Sequence, residues 1–114
     1  MIDYWYNTTM SEYIEIEEEA TDDPDITLFH TNLPLTDGEI EEYDSIEAME
    51  EGSPVAQALA VIVGIVSATL EEETLTIRRE PYFDWYAIAA DVSAVLKDFF
   101  LWDDLYGVFY SVYY

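Results

Sequence analysis

One segment near the end of the chain has the spacing of an amphipathic helix. Between Trp85 and Phe100, apolar residues recur three and four positions apart, which places them along one face of an α-helix. Asp84 precedes the segment and is a favourable N-cap residue. The predicted apolar face consists of Trp85, Ile88, Ala89, Val92, Val95, Leu96 and Phe99. Because such a stripe must pack against a second apolar layer, the rest of the chain is expected to supply one.

A hairpin upstream of this helix is predicted to form part of that layer. Residues 65–70 and 74–79 both alternate between apolar and polar side chains, as half-buried strands do. Val66, Ala68 and Leu70 are predicted to share one face of the first strand. Three glutamates between the two segments would form the tip of the hairpin.

A second hairpin is predicted near the start of the chain. Residues 12–18 form a strand-like segment in which Glu15 and Glu17 alternate with apolar positions, and residues 26–31 form a second strand-like segment. The sequence Thr-Asp-Asp-Pro-Asp at 21–25 separates them, and it is rich in residues that favour turns. We therefore expect two strands joined by this turn.

Helix signals and a final strand complete the predicted order. Residues 44–51 are predicted to be a short helix with Asp44 in a capping box. Ser53 followed by Pro54 marks the start of a second helix, which extends to residue 62. The aromatic segment 105–114 alternates and is predicted to be a last strand. The order β-β-α-α-β-β-α-β predicts an α+β fold, a mainly antiparallel sheet with two main helices on one face.

Acidic residues dominate the charged part of the composition. The chain has 26 acidic and 3 basic residues, a formal net charge of −23, and 51% hydrophobic residues. That apolar content is too high for a disordered acidic tail, so a single folded domain over 1–114 is expected. Two segments, 12–25 and 37–51, carry eight acids each. A charge of this size is expected either in a protein that works in concentrated salt, where the repulsion between its acids is screened, or in one that binds a strongly basic partner.

Several kinds of site are disfavoured by the residue types present. The chain has no cysteine and one histidine, His30, so neither a thiolate centre nor a multi-histidine metal site is expected. Leu28 and Pro34 occupy the positions where a calcium loop starting at residue 23 needs Gly and Glu. Three basic residues make no basic patch, so nucleic-acid binding is not expected. We predict no catalytic residue, metal site, cofactor or membrane span, and a cytoplasmic location.

Two groups of residues leave alternatives open. Arg78 and Arg79 either recognise a partner or pair internally with Glu80 or the hairpin-tip glutamates, and internal pairing is favoured. The aromatic residues at both ends of the chain either form an interface, including that of a homodimer, or pack on the core as an edge strand. These aromatics are Tyr4, Trp5, Tyr6 and the four aromatic residues of the segment 109–114.

Several predicted cap, turn and core residues follow one another in the order found in a known protein family. A Ser-Pro helix start is followed by Gly, a strand, a hairpin, and an Asp-Trp helix start that leads to Phe-Phe. The residues are Ser53, Pro54, Ala56, Gly64, Asp84, Trp85, Phe99 and Phe100. In this order the chain resembles the N-terminal domain of the Nfu (NifU-like) iron–sulfur scaffold proteins, whose first strands are also joined by a turn where 21–25 lies.

The resemblance implies an Nfu N-terminal-like core at 12–100 with extensions at 1–11 and 101–114. In that family, cluster chemistry belongs to a separate domain with a Cys-Xaa-Xaa-Cys motif, and this chain contains no cysteine. The matching positions are caps, turns and core residues, so the resemblance assigns no catalytic residue.

Charge and size favour a different function as the leading hypothesis. Under this hypothesis, the chain is a non-enzymatic DNA mimic. It blocks the basic nucleic-acid-binding face of a nuclease or effector complex, as phage anti-restriction and anti-CRISPR inhibitors do. Three aspartates of the last helix lie seven residues apart, a spacing of about 10.5 Å. The candidate partner-binding residues are Glu15, Glu17, Glu18, Glu19, Asp22, Asp23, Glu39, Glu41, Glu42, Asp44, Glu71, Glu72, Glu73, Asp84, Asp91 and Asp98. The alternative is an accessory domain in iron–sulfur cluster assembly, from a salt-adapted organism.

Overall fold

An antiparallel sheet forms one layer of the protein. The computed structural model describes the backbone of residues 14–113 and the side chains of residues 14–101. Within this part, five strands pair in the spatial order β1-β2-β5-β4-β3, and every pair is antiparallel. The strands are β1 (Ile16–Ala20), β2 (Ile26–Thr31), β3 (Glu41–Tyr43), β4 (Ile65–Leu70) and β5 (Thr74–Arg79). The predicted α+β class with an antiparallel sheet is confirmed.

The turn between β1 and β2 is fixed by its own polar side chains. The hydroxyl of Thr21 donates to the carbonyl of Ile26 at 2.9 Å, and a carboxylate oxygen of Asp23 accepts from the amide of Asp25 at 2.9 Å. Such local bonds hold the backbone in a turn. Because the turn starts at Thr21, β1 reaches Ala20 rather than stopping at residue 18 as predicted. The predicted start at residue 12 lies outside the described residues.

A bulge interrupts the alternation of β4. Ile65 pairs with Arg79 and Ser67 pairs with Arg78, so Val66 is an extra residue with no counterpart on β5. An extra residue shifts the side-chain alternation by one position. Ile65 is therefore buried together with Ala68 and Leu70, whereas Val66 is half-buried. The prediction that Val66 shares their face is wrong.

In the described part of the chain, three helices pack on the sheet, and two of them begin at serine caps. They are α1 (Ile46–Glu50), α2 (Pro54–Leu59) and α3 (Trp85–Tyr113). The hydroxyl of Ser53 accepts from the amide of Ala56 at 3.3 Å, and Pro54 occupies the first turn, as predicted. The cap of α1 is Ser45, not Asp44, because the hydroxyl of Ser45 accepts from the amide of Ala48 at 3.1 Å. Helix α2 ends at Leu59, earlier than the predicted residue 62.

Two segments differ from the predicted order of elements. Residues 41–43, to which no strand or helix was assigned, form the short strand β3 at the edge of the sheet beside β4. Residues 105–113, expected to be a strand, belong to the 29-residue helix α3. Once a helix is nucleated, each added residue contributes one more backbone hydrogen bond, so continuing it is easier than starting a new strand.

The core lies between the helices and one face of the sheet. Ile88, Val92 and Leu96 of α3 are at most 1% exposed, and they share one apolar cluster with Phe29 of β2 and Leu75 of β5. The remaining members of the predicted stripe, Trp85, Ala89, Val95 and Phe99, are partly buried against the same cluster. The periodicity of the last helix therefore identified the buried face correctly.

Candidate interaction surfaces

Two arginines are paired with acids at one corner of the sheet. The register that places Ile26 opposite Arg78 brings the 21–25 turn beside the end of β5. Arg78 Nη2 is 3.4 Å from Asp23 Oδ2, and Arg79 Nε is 3.2 Å from Asp25 Oδ1. The favoured internal pairing is confirmed, but the expected partners, Glu80 and the hairpin-tip glutamates, are wrong. Strand register, rather than distance along the chain, decides which acids are near.

Trp85 connects this corner to the start of α3. The Arg79 guanidinium lies 5.3 Å from the centroid of the Trp85 ring, and its Nη1 donates to the carbonyl of Phe83 at 2.7 Å. Trp85 Nε1 donates to the carbonyl of Pro24 at 2.7 Å. The turn and the Asp-Trp helix start, which carried much of the sequence resemblance, thus join the first hairpin to the last helix. Their role in the described structure is architectural.

The first group of acids predicted to bind a partner lies along β1, one edge of the sheet. Glu17 and Glu19 belong to one face of the strand and Glu18 to the other, because side chains alternate. His30 Nε2 is 2.6 Å from Glu19 Oε1, at an exposed position. The backbone amide of Glu15 donates to Asn32 Oδ1 at 3.0 Å. His30 is therefore a surface residue.

The second group lies around β3, at the opposite edge of the sheet. Glu39, Glu42 and Asp44 are exposed. Glu41 is half-buried, and its carboxylate accepts a hydrogen bond from the hydroxyl of Tyr43. That hydroxyl also accepts from the amide of Ser53 at 3.2 Å, so Glu41 takes part in anchoring the start of α2.

The remaining acids occupy the hairpin tip, the first turn and the last helix. The tip residues 71–73 have exposed side chains. The carbonyls of Glu72 and Glu73 accept bonds of 2.8 Å from the amides of Leu35 and Thr31, respectively. The tip adjoins Leu70 and Leu75, whereas α3 starts beyond the other end of β5. Asp22 is exposed and Asp23 is paired with Arg78. The three spaced acids at the last helix are all exposed: Asp84, which directly precedes α3, and Asp91 and Asp98 within it.

The acids consequently do not form one array. They occupy both edges of the sheet, both of its ends and the helix layer. A duplex, by contrast, presents its charges in regular rows, one per about 1.7 Å of axis. The aromatic residues 4–6 lie outside the described residues, as do the side chains of 109–114, so the predicted aromatic interface and homodimer stay predictions.

An apolar surface that the sequence did not predict lies at the end of the sheet where α3 begins. Its five side chains are at least 41% exposed, and together they are called the apolar end patch. They are Val61 and Val63 from the α2–β4 loop, and Tyr82, Phe83 and Tyr86 from the β5–α3 junction. Val61 falls inside the helix that was predicted to extend to residue 62, and the aromatics at 82–83 lie between the predicted hairpin and the last predicted helix. Large apolar residues inside a predicted loop were the available signal.

The two loops of the apolar end patch are in contact with each other. The amide of Glu80 donates to the carbonyl of Gly64 at 2.8 Å. Gly64 has a φ of +101°, and a Cβ placed there would lie 2.9 Å from the ring of Phe83. Only glycine fits both the backbone and the ring at this position. The contact fixes Val63 and Phe83 on neighbouring loops.

Neither a metal site nor a cluster site is formed in the described part of the chain. No three His, Cys, Asp or Glu side chains converge there in a way that would hold a metal ion. Iron–sulfur clusters are held mainly by cysteine thiolates, and the sequence has none. In the same residues, no helix combines the length and the apolar content required to cross a bilayer.

Comparison with known proteins gives a consistent family. A family model described as scaffold protein Nfu/NifU N terminal matches residues 16–102. The NMR structure of a NifU-like protein from Saccharomyces cerevisiae is similar, with a TM-score of 0.63 and 18% identity, over 75% of this chain and 77% of that chain. The crystal structure of protein SAV1430 from Staphylococcus aureus has a TM-score of 0.59 and 12% identity, over 72% and 98% of the two chains. At these identities the structures support the fold alone. No curated protein sequence matches the chain.

These matches confirm the resemblance and correct the leading functional hypothesis. The DNA-mimic prediction rested on size and net charge, which many unrelated proteins share. The family match depends on an ordered pattern across residues 16–102. The prediction that the chain is a phage-type inhibitor of a nuclease or effector complex is therefore wrong. The match favours the alternative, a role in iron–sulfur cluster assembly.

Proposed function

The chain belongs to the family of Nfu/NifU scaffold N-terminal domains, and from this premise we propose that it is an accessory domain in iron–sulfur cluster assembly. In this role it contacts protein components of the assembly and carries no cluster. The observation that supports the proposal most is the family match over residues 16–102.

The chemistry of the chain is consistent with a contact role. Cluster assembly needs thiolates to hold iron and sulfide, and this chain has no cysteine and a single histidine. The ionic groups at the Arg79 corner are already engaged with one another. We therefore infer that the protein is not an enzyme, and that the cluster is cargo on another domain or protein.

A contact domain accelerates transfer by raising effective concentration. When two components are held together, the second encounter becomes nearly intramolecular, which increases its rate without new chemistry. We place this activity in the cytoplasm, with residues 1–114 acting as one domain.

The test is a cluster-transfer assay. A purified Nfu-type domain with a Cys-Xaa-Xaa-Cys motif is loaded with a [4Fe–4S] cluster and mixed with an apo-ferredoxin, with and without this protein. We expect a several-fold, saturable rise in the initial transfer rate, because both components are held together. Binding of the protein to each component is measured separately by calorimetry.

Two controls make the outcome specific. Polyglutamate at equal total charge reports any effect of a polyanion, and it should leave the transfer rate unchanged. Anaerobic incubation of the protein alone with iron and sulfide should give no visible cluster absorbance. The proposal fails if the protein binds neither component and leaves the rate unchanged, or if it assembles a stoichiometric cluster by itself.

A further inference from the structure

The apolar end patch exposes several large hydrophobic side chains to solvent. Tyr82 is 98% exposed, Tyr86 83% and Val61 73%. Single exposed apolar residues are common, but several large ones on adjoining loops mark a contact surface more often than chance exposure. Ile62, between the two exposed valines, is 5% exposed. The loop therefore already supplies its core contact through Ile62, and the two valines remain at the surface.

Several contacts fix the backbone that carries these side chains. Phe83 lies against Gly64, and the carbonyl of Phe83 is bonded to Arg79. Tyr86 lies in the first turn of α3, whose start is fixed by Asp84 accepting from the amide of Tyr86 at 3.1 Å. A backbone that is already ordered has less conformational entropy to lose on binding, which favours association.

The charges beside the patch indicate the kind of partner. Glu80 and Asp84 are exposed and flank the aromatic residues in sequence. The nearest basic side chain in the described part, Arg79, is paired with Asp25 at 3.2 Å. Lys97 is eleven positions beyond Tyr86 on α3, about 16 Å along the helix axis. The border of the patch is thus negative.

A negative border disfavours a second copy of this chain. Two copies would bring Glu80 and Asp84 against like charges, on proteins that each carry a formal charge of −23. Charge complementarity favours a surface of opposite sign instead, and steers it into place.

We propose that the apolar end patch is a docking site for a protein segment in which aliphatic side chains are flanked by lysine or arginine. The aliphatic groups pack between Val61, Val63 and the aromatic rings, and the basic groups pair with Glu80 and Asp84. This inference goes beyond the proposed function, because it concerns the surface and the partner's chemistry, whichever process uses them.

The test uses three synthetic ten-residue peptides and NMR of the isotope-labelled full chain. The first alternates Lys with Leu and Val, the second replaces Leu and Val by Ser, and the third replaces Lys by Gln. We expect the first peptide to shift the signals of Val61, Val63, Phe83 and Tyr86 and to bind about tenfold more tightly than either of the others.

Matched variants locate the binding site. Val61→Ser with Val63→Ser should weaken binding of the first peptide about tenfold. Ile40→Ser is the control, since Ile40 is 62% exposed and precedes β3, which pairs with the far end of β4. Glu80→Lys should weaken binding, whereas Glu72→Lys at the hairpin tip should not. Thermal unfolding of each variant confirms that the fold is retained.

The outcomes separate this inference from the proposed function. Shifts confined to the acids of 15–23 or 39–51, equal binding of the second or third peptide, or unchanged affinity of the valine variant overturns the docking site. Patch-dependent self-association by sedimentation would assign the patch to a second copy and overturns it as well. If the peptide maps to the patch but cluster transfer is unaffected, only the proposed function falls. If the valine variant retains both peptide binding and the transfer effect, only the docking site falls.

Discussion

The two neighbouring arginines at the end of β5 differ in their environments. Arg79 is bonded to Asp25 and to the carbonyl of Phe83 and covers Trp85, with 18% of its side chain exposed. Arg78 makes one 3.4 Å contact to Asp23 and is 44% exposed. A planar guanidinium presents its donors in a rigid fork and can stack on an aromatic ring at the same time, whereas the compact ammonium of lysine has no planar group to stack.

We therefore predict that Arg79→Lys lowers the free energy of unfolding by about 1–3 kcal/mol. Arg78→Lys is the matched control, and its cost should stay below about 0.5 kcal/mol, because an exposed ion pair contributes little. Urea denaturation followed by circular dichroism measures both. Equal losses for the two variants would contradict the role assigned to Arg79.

Two glycines with positive φ allow the free-energy cost of backbone strain to be distinguished from the cost of steric overlap. Gly64 has a φ of +101° and faces the Phe83 ring, while Gly38 has a φ of +108° and open space around it. Gly38→Ala should cost about 1 kcal/mol through the backbone alone, and Gly64→Ala about 2–3 kcal/mol because the ring must also move. Chemical denaturation gives both values. The extra cost at Gly64 should shrink when Phe83→Ala is added, and a cost that does not shrink would argue against this steric contact.

At the scale of the element, α3 stabilises the fold through one face. Val92 is 0% exposed and Asp91, the preceding residue, is exposed. Val92→Ala should lower the free energy of unfolding by about 2 kcal/mol, from lost burial and a small cavity. Asp91→Ala should change it by less than about 0.5 kcal/mol. Thermal melts of the two variants check this, and similar shifts for both would mean that the buried face of α3 is assigned wrongly.

At the scale of the whole molecule, the excess of negative charge opposes folding. A formal charge of −23 on 114 residues repels itself over a Debye length of about 30 Å at 0.01 M salt but only about 3 Å at 1 M. We predict that the melting temperature rises by roughly 5–10 °C between about 0.01 M and about 0.5 M NaCl. Differential scanning calorimetry over a salt series measures the change.

A charge-reduced variant is the control for the salt effect. Replacing Glu71, Glu72 and Glu73 together by Gln removes three exposed charges from the hairpin tip. This variant should melt higher than the parent at low salt and respond less to added NaCl. A melting temperature that does not change with salt would contradict the prediction. Folding only in molar salt would instead support the salt-adapted explanation of the charge.

Sequence reasoning predicted the local features and failed where distant segments meet. The stripe of α3, the Ser53 cap and the two hairpins follow from patterns of a few residues, and the structure contains them. The partners of Arg78 and Arg79, the bulge at Val66 and the strand β3 depend on register between strands. An alternating pattern also did not distinguish a final strand from the continued helix.

The properties of the candidate interaction surfaces also depend partly on the sequence and partly on the tertiary structure. Composition alone determined that the chain carries a large negative charge and lacks the thiolates for a cluster. Only the tertiary structure decided that the acids spread over both edges and both ends of the sheet, and that Gly64 lies against the ring of Phe83. The physical reason is that charge and periodicity belong to the sequence itself, whereas exposure depends on which segments pack over a residue, and that is decided by contacts between positions far apart in the chain.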